Sequence, residues 1–499
     1  MLDFKYYIGI DFGHGETSVS RVPGINGESV SRIPLRISGD FAEQKVYSAI
    51  CRDDNGKWKF VGSKDDLKCK DVKEGFKGMI HTLDNDKREA LCEFAKLVFK
   101  TILDNDKELH YNPETGEANF VICIANPSDW RRKDPYNPKE YLRFFQKEAG
   151  IKPAKMCINE SDAAFYTKFK GYTPSDKVFV IDLGSSTIDF TTYQDSICNH
   201  ECCWGANLGA HLVEDKLVDF GYTIADEKEE NIEGMHLVTH ERVHLNLGLA
   251  ESALSLAARF AKESYFTRCN KNDGGITTYE LDVYVRDLVP NWKKKTQKAF
   301  AVIIDSVDVD TIIRDYISAL SLALSNAAKK LQGYGISPNK VLLSGGASRM
   351  PFVKKLTEEA FPNAEIVRDN YPEWVVSDGA ALYAKTHIKA LKDRNKLQEE
   401  FAIWAKAHLD DKLKSAAVSS FNSILKDTLR NGLEKRYLNG SSGSLDDLEQ
   451  ISRGILEGIT KTIEFKSKAD KQFIAVVDGF IKAKLEEIIK SNYGKVVTI

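Results

Sequence analysis

Residues 7–19 read Tyr7-Ile-Gly-Ile-Asp11-Phe-Gly13-His14-Gly15-Glu16-Thr17-Ser-Val19, and residues 179–190 read Phe179-Val-Ile-Asp182-Leu-Gly184-Ser185-Ser186-Thr187-Ile-Asp189-Phe190. Each is an apolar run ending in Ile-Asp-[Phe or Leu]-Gly, followed by small or polar residues, a threonine and a second β-prone run. The pattern predicts a strand, a tight glycine turn and a returning strand, twice. Glycines at these turns let the backbone approach a ligand closely. Amides from such turns converge on anions, so the chemistry implied is phosphate handling. Asp11 and Asp182 each close a strand, and two carboxylates are enough for a Mg²⁺ that keeps its waters and takes substrate phosphates. One Asp-x-Gly turn is an ordinary turn former. The repetition is what points to a site.

Working outward, Val341-Leu-Leu-Ser-Gly345-Gly346-Ala-Ser-Arg349-Met-Pro351 reads as a buried strand ending in a glycine pair. A helix is predicted to start near Pro351, a residue favoured at the first helical position. In open α/β sheets, ligands bind where strands end at their carboxyl side, and a glycine pair there lets a flat ring pack on backbone.

These three segments, in this order, resemble the nucleotide-binding fold shared by actin, the DnaK-type (seventy-kilodalton heat-shock) chaperones and sugar kinases. Five further stretches support the resemblance, which spans roughly residues 5–386. Ile122 to Trp130 resembles the strand and proline-aromatic turn of the chaperone ATPases. Asn159-Glu160-Ser161-Asp162-Ala163-Ala164 is similar to their connecting helix. Gly205 to Val218, with Leu208-Gly209 inside, resembles their third phosphate-side segment. Arg259-x-x-Lys262-Glu263 is similar to an actin helix that approaches the nucleoside, and Tyr371-Pro372-Glu373 through Gly379-Ala380-Ala381 resembles the second adenosine segment.

The resemblance implies an α/β chain with the actin/heat-shock-chaperone ATPase fold: two duplicated ribonuclease-H-like domains, 1–175 and 176–386, around a nucleotide cleft. The ligands implied are ATP or ADP and Mg²⁺. By the same resemblance, Asp11 and Asp182 hold Mg²⁺ through water, and Gly13, His14, Gly15, Glu16 and Thr17 face the β- and γ-phosphates with Gly184, Ser185, Ser186, Thr187 and Gly209. Glu160 orients or deprotonates the attacking water, with Asp189 as a supporter. Gly345, Gly346 and Arg349 bracket the adenosine, with Lys262 and Glu263 on its ribose or base. Lys77, in Gly-Phe-Lys-Gly-Met, matches the chaperones' phosphate-stabilising lysine, weighed against a solvated surface lysine.

Four departures matter. His14-Gly15 stands where the chaperones carry two threonines, which removes a hydroxyl near the γ-phosphate and implies slow turnover. Ser185-Ser186 replaces glycines, Leu212 replaces an acid, and Trp374 replaces an acid beside the adenosine. His14 is either a phosphate donor or a chance turn residue.

Composition sets the outer limits. The chain has 499 residues, is 42% hydrophobic and 29% charged, and carries a formal charge of −3. That length exceeds one core, and that charge offers no overall attraction for nucleic acid. Met1-Leu2-Asp3-Phe4-Lys5 has charges where a signal peptide needs an apolar run, and no stretch is long enough to span a bilayer. Nine cysteines show no disulfide framework, so the expectation is a reducing, cytoplasmic compartment.

Two metal readings compete with the nucleotide. His240-Glu241-Arg242-Val243-His244 matches the His-Glu-x-x-His zinc pattern, with His236 one turn away. Arg242 sets a cation beside that metal, which favours a solvated helix face. Cys198, His200 and Cys202 share one face if the strand after the second hairpin continues through them; buried small residues are the alternative.

From residue 387 the pattern turns helical. Leu397, Phe401 and Trp404, then Ile451, Ile455, Ile459 and Ile463, fall near helical spacing. Three helices packed on each other or on the core are expected over 387–499, weighed against a protein-partner lid or a membrane-surface helix. Thr386 to Asp393 carries no apolar linker, and no run of regular strands follows, so the chaperones' peptide-gripping β-sandwich is missing. The function expected is a Mg-dependent ATPase acting as a nucleotide-driven switch, with an actin-like filament ATPase and a small-molecule kinase as alternatives. Self-assembly stays open.

Overall fold

The computed structural model describes residues 4–408, apart from 25–28, 36–44, 64–65, 67–68, 129, 131–137, 169–175, 195–196, 200–201, 218–246, 271–278, 284–299 and 305. The His236, His240 and His244 cluster, His200 and residues 409–499 lie outside that set. No helix among the described residues is long and apolar enough to cross a membrane.

The fold is α/β. Strands β1 (Tyr6–Phe12), β2 (Glu16–Pro23), β3 (Ser31–Arg32) and β4 (Val46–Tyr47) are followed by β5 (Ala49–Arg52), β6 (Trp58–Phe60) and β7 (Lys70–Glu74). Helix α1 (Asn85–Asn105), β8 (Phe120–Asn126), α2 (Pro138–Lys147), β9 (Ala154–Asn159) and α3 (Glu160–Lys168) complete the first part. The second begins with β10 (Lys177–Leu183), β11 (Ile188–Gln194), β12 (Ile197–Cys198) and β13 (Trp204–Ala206). It continues through α4 (Leu247–Asn270), β14 (Tyr279–Val283), β15 (Phe300–Ile304) and α5 (Ser306–Gly333). The last elements are β16 (Lys340–Ser344), α6 (Pro351–Ala360), β17 (Glu365–Arg368) and α7 (Val375–His408).

Two six-stranded sheets carry the same order. The first runs β3-β2-β1-β8-β9 and the second β12-β11-β10-β16-β17. In both, the leading hairpin is antiparallel and the next two strands join in parallel. The central parallel strand β8, Phe-Val-Ile-Cys-Ile-Ala-Asn, is buried at every position, as a strand covered on both faces requires.

Alternation along the strands builds three cores. Ile8 and Ile10 of β1 face a cluster under α1 and α2 that includes Phe94, Val98 and Phe145. Phe179 and Ile181 of β10 face the equivalent cluster against α4, α5 and α6. Tyr7, Val178 and Val180 point the other way, into a middle layer with Ala163, Phe165, Val375 and Ala380 that both sheets share. Helices α3 and α7 therefore lie between the sheets.

That middle layer is tight because it is made of small residues. A Cβ on Gly9 would stand 2.1 Å from the Ser377 carbonyl, and one on Gly379 would stand 1.8 Å from the Ala163 carbonyl. Backbone thus meets backbone where α7 crosses β1 and α3. Gly379→Ala is expected to cost about 1–3 kcal/mol, as overpacking does; an unchanged urea midpoint would contradict so close a crossing.

The domain boundary expected at 386/387 falls inside α7, which continues unbroken to His408. Residues 375–386, expected with the second domain, belong to this helix, which packs on the strands of the first sheet and on α3. The cause is the Gly-Ala-Ala run at 379–381, whose small side chains let the helix lie on β1.

Candidate functional site

Asp11 and Asp182 each stand one residue before the end of the leading strand, ahead of the glycine turn. Asp11 pairs with Ser18 across β1–β2, and Asp182 pairs with Asp189 across β10–β11. The two turns face one another: a Cβ on Gly15 would come within 3.0 Å of Ser185 Cβ. Three buried polar atoms without a protein partner cluster here, namely Asp11 Oδ1, His14 Nδ1 and Ser185 Oγ. A buried polar atom left unpaired is costly, and a polar ligand between the two opposed turns could satisfy these three.

Glu160 opens α3 directly after β9, and Lys77 reaches it from the loop after β7, with Nζ 2.5 Å from Oε1. Ser344 Oγ donates to Asp182 Oδ1 at 2.7 Å. Asp11, Asp182 and Glu160 thus bring three carboxylates to one lysine. Burial, with Glu160 next and Asp182 also adding, pushes Asp11 up to about 8 against the relief from Lys77. Burial and Glu160 push Asp182 up to about 6. A site this short of positive charge fits a divalent cation. The three carboxylates do not all close to within 4.8 Å of one another.

His14 is pushed down to about 4, by burial first and then by Arg259 and Lys77, so the ring is neutral and has one N–H to donate. Gly345, at φ +80°, ends β16 on Leu183 and Asp182: a Cβ there would stand 2.2 Å from the Leu183 carbonyl and 2.8 Å from Asp182 Oδ1. Only glycine meets both demands. Gly209 packs as closely on the Ser185–Ser186 backbone and shapes that turn.

A second polar group lies beside the first. Lys45 Nζ contacts Glu16 Oε2 at 2.5 Å, and the Tyr47 hydroxyl donates to Glu263 Oε2 at 2.7 Å. Arg349 pairs with Glu373 at 3.0 Å. Glu373 Oε2 and Trp374 Nε1 are buried without a protein partner. Gly346 faces Glu16, its Cβ position 3.6 Å from Oε2. Burial and the Glu16 charge push Glu263 upward against Lys45 and Lys262.

A third group ties the first turn to α4. Arg259 Nη1 donates to the Gly15 carbonyl at 3.2 Å, while Nε and Nη2 donate to Glu214. Lys262 Nζ also donates to Glu214, and Glu74 lies 3.6 Å from Arg259. Glu214 has no solvent exposure. Burial pushes its carboxyl up, but Arg259 and Lys262 outweigh that and hold it down at about 2.

Set beside the sequence reading, Asp11, Glu160, Asp182, Gly13, Gly15, Gly184, Ser185 and Lys77 come together, and Lys77 is buried against Glu160 rather than solvated. Glu16 and Thr17 do not sit in the first turn, where they were expected, because β2 has already begun at Glu16. Thr17 Oγ1 bonds Ser48 Oγ, which in turn donates to the Gly13 carbonyl, and Glu16 belongs to the Lys45 group. Thr187 Oγ1 donates to Asp189 Oδ2. Lys262 donates to Glu214, and its charge also acts on Glu263. The shared face expected for Cys198 and Cys202 is absent, since β12 stops at Cys198. A turn closed by Cys202 N–H donating to the Asn199 carbonyl sends Cys202 into a different core. The sulfurs of Cys198 and Cys203 are the ones that meet, at 3.5 Å.

Sequence reasoning missed Lys45, Tyr47, Glu214 and Ser344, and gave Arg259 and Glu373 no role. Only Ser344 carried a local signal, as the residue before the glycine pair. Compared with the models of known protein families, the chain matches none.

Proposed function

We propose that the chain binds Mg²⁺ and a nucleoside triphosphate between its two sheets and hydrolyses the triphosphate slowly, as a nucleotide-driven conformational switch of the actin and DnaK-chaperone type. The observation carrying this reading is the pair of opposed hairpin turns, Gly13–Gly15 and Gly184–Thr187, with Asp11 and Asp182 behind them and unpaired polar atoms between. Two sheets of the same order, each offering an acidic hairpin, are what duplicated ribonuclease-H-like domains would give.

In this reading Asp11 and Asp182 hold the hydrated ion, which would neutralise charge on the β- and γ-phosphate oxygens. Turn amides, Ser185 Oγ and the neutral His14 ring donate to the phosphates. Lys77 holds Glu160 by Oε1, leaving its other oxygen to take a proton from the attacking water. The Glu16, Lys45, Tyr47, Glu263 and Glu373 group, with Gly346 and Arg349 at its edge, receives the nucleoside. Catalysis of this kind is positioning and electrostatics more than covalent chemistry. Helix α7 starts beside Glu373 and lies between the sheets, so closure around a γ-phosphate would be transmitted along it.

The test is phosphate release from ATP with and without Mg²⁺. Glu160→Gln is expected to keep nucleotide bound while slowing release about 100-fold, within the range for loss of a general base. Wild-type turnover by that variant would remove Glu160 from the mechanism.

A further inference from the structure

Away from that site, the small sheet β6-β5-β7 holds a cluster of a different chemistry. Cys51 lies on β5 with no solvent exposure, Cys69 in the turn entering β7, and Asp66 three residues before it. Their ligand atoms all lie within 4.8 Å of one another, and no other group of three His, Cys, Asp or Glu among the described residues does so. Two thiolate sulfurs on a tetrahedral zinc ion stand about 3.8 Å apart, from bonds of about 2.3 Å, so little movement separates this arrangement from a coordinating one.

The backbone is also set for it. Asp66 N–H donates to the Ser63 carbonyl and Cys69 N–H to the Asp66 carbonyl, at 3.1 and 3.0 Å. Asp66 is oriented by the N–H groups of Gly62 and Ser63 on Oδ2 and by Lys59 Nζ on Oδ1. Lys59 is the cross-strand partner of Cys51. Two thiolates and a carboxylate carry three negative charges, which one divalent cation and Lys59 neutralise. Asp66 would thus be oriented by its neighbours much as the partners of metal-binding carboxylates orient them.

We infer that Cys51, Asp66 and Cys69 form a binding site for one thiophilic divalent cation of the zinc class, with a fourth position open to water or an exogenous ligand. The site clips β5 to the turn before β7. Cys51 shares a buried cluster with Leu256 and Ala257 of α4, so the clip stiffens the platform on which α4 rests. The inference stands or falls independently of the nucleotide.

The test is titration of the reduced full-length chain with Co²⁺ and then Zn²⁺. One equivalent of Co²⁺ is expected to give a sulfur-to-cobalt charge-transfer band with tetrahedral d–d bands, all displaced by Zn²⁺. Cys69→Ser should lose the tetrahedral spectrum, Asp66→Asn should bind at least about tenfold more weakly, and Cys203→Ser should match wild type. Stoichiometric Zn²⁺ should also protect Cys69 of the unaltered chain from alkylation, which reads the site without any variant. No tetrahedral cobalt spectrum, one that survives in Cys69→Ser, or a reduced chain that takes no metal and merely forms a Cys51–Cys69 disulfide in air would each overturn it.

Discussion

Asp11→Asn is expected to lower Mg-dependent ATP hydrolysis by about 100- to 1000-fold, the scale seen when one preorganised electrostatic contact is removed, while making the metal-free protein more stable. The two effects share one cause. Asp11, half-buried with its Oδ1 out of solvent, faces the charges of Glu160, Asp182 and Glu16, with Lys77 as the only cation among its leading electrostatic neighbours, and its carboxyl is pushed from 3.8 up to about 8. Between those two pH values the folded protein holds a proton that the unfolded chain has released. Stability of the metal-free protein therefore falls as pH rises through that window. Asparagine has no such slope, so the advantage of the variant should grow from pH 5 to pH 8. Thermal melts without Mg²⁺ or nucleotide at three pH values check the stability, and phosphate release checks the activity. Wild-type hydrolysis by the folded variant would contradict the role given to Asp11.

Glu214→Gln is expected to destabilise the fold by about 3–5 kcal/mol, the usual cost of removing one member of a buried ion pair. Glu214 is buried between Arg259 and Lys262, which have 3% and 10% side-chain exposure. With its charge gone, Arg259 is left with the Gly15 carbonyl and the more distant charges of Glu74 and Glu263. The carboxyl is held down at about 2 against an ordinary 4.5. Its contribution is thus fully present above pH 4.5 and is lost as pH falls through about 2. A urea midpoint equal to wild type at neutral pH, with the same m-value, would contradict this reading. Since Arg259 steadies the turn at Gly15, nucleotide affinity should fall with stability.

What the sequence made legible was local. The two hairpins, the helix opening at Glu160 and the turn before Pro351 are each written in fewer than fifteen consecutive residues, and all form as expected. Lys45 and Tyr47 were invisible because their partners are distant: Tyr47 meets Glu263 from 216 residues away. Glu214 was overlooked for the same reason, since its importance comes from two cations on α4. Thr17 and Glu16 were assigned to the turn because a motif read as a string does not mark where the strand resumes. Cys202 was misplaced because period-two alternation holds only while the strand lasts, and β12 ends four residues earlier. The Gly379-Ala-Ala run was read as an adenosine segment, yet its closest contacts are with α3 and β1, so packing alone suffices to demand those small residues.

The central claim is that two acidic hairpins, one from each sheet, grip a magnesium-bound nucleoside triphosphate. Calorimetric titration of the full chain with ATP, in two buffers of different ionisation enthalpy, measures it most directly. The account predicts one site per chain, at least about tenfold weaker without Mg²⁺, with protons released at neutral pH as the ion displaces the one held by Asp11. Equal affinity with Mg²⁺ and with a chelator, or no binding at all by the folded chain, would contradict it.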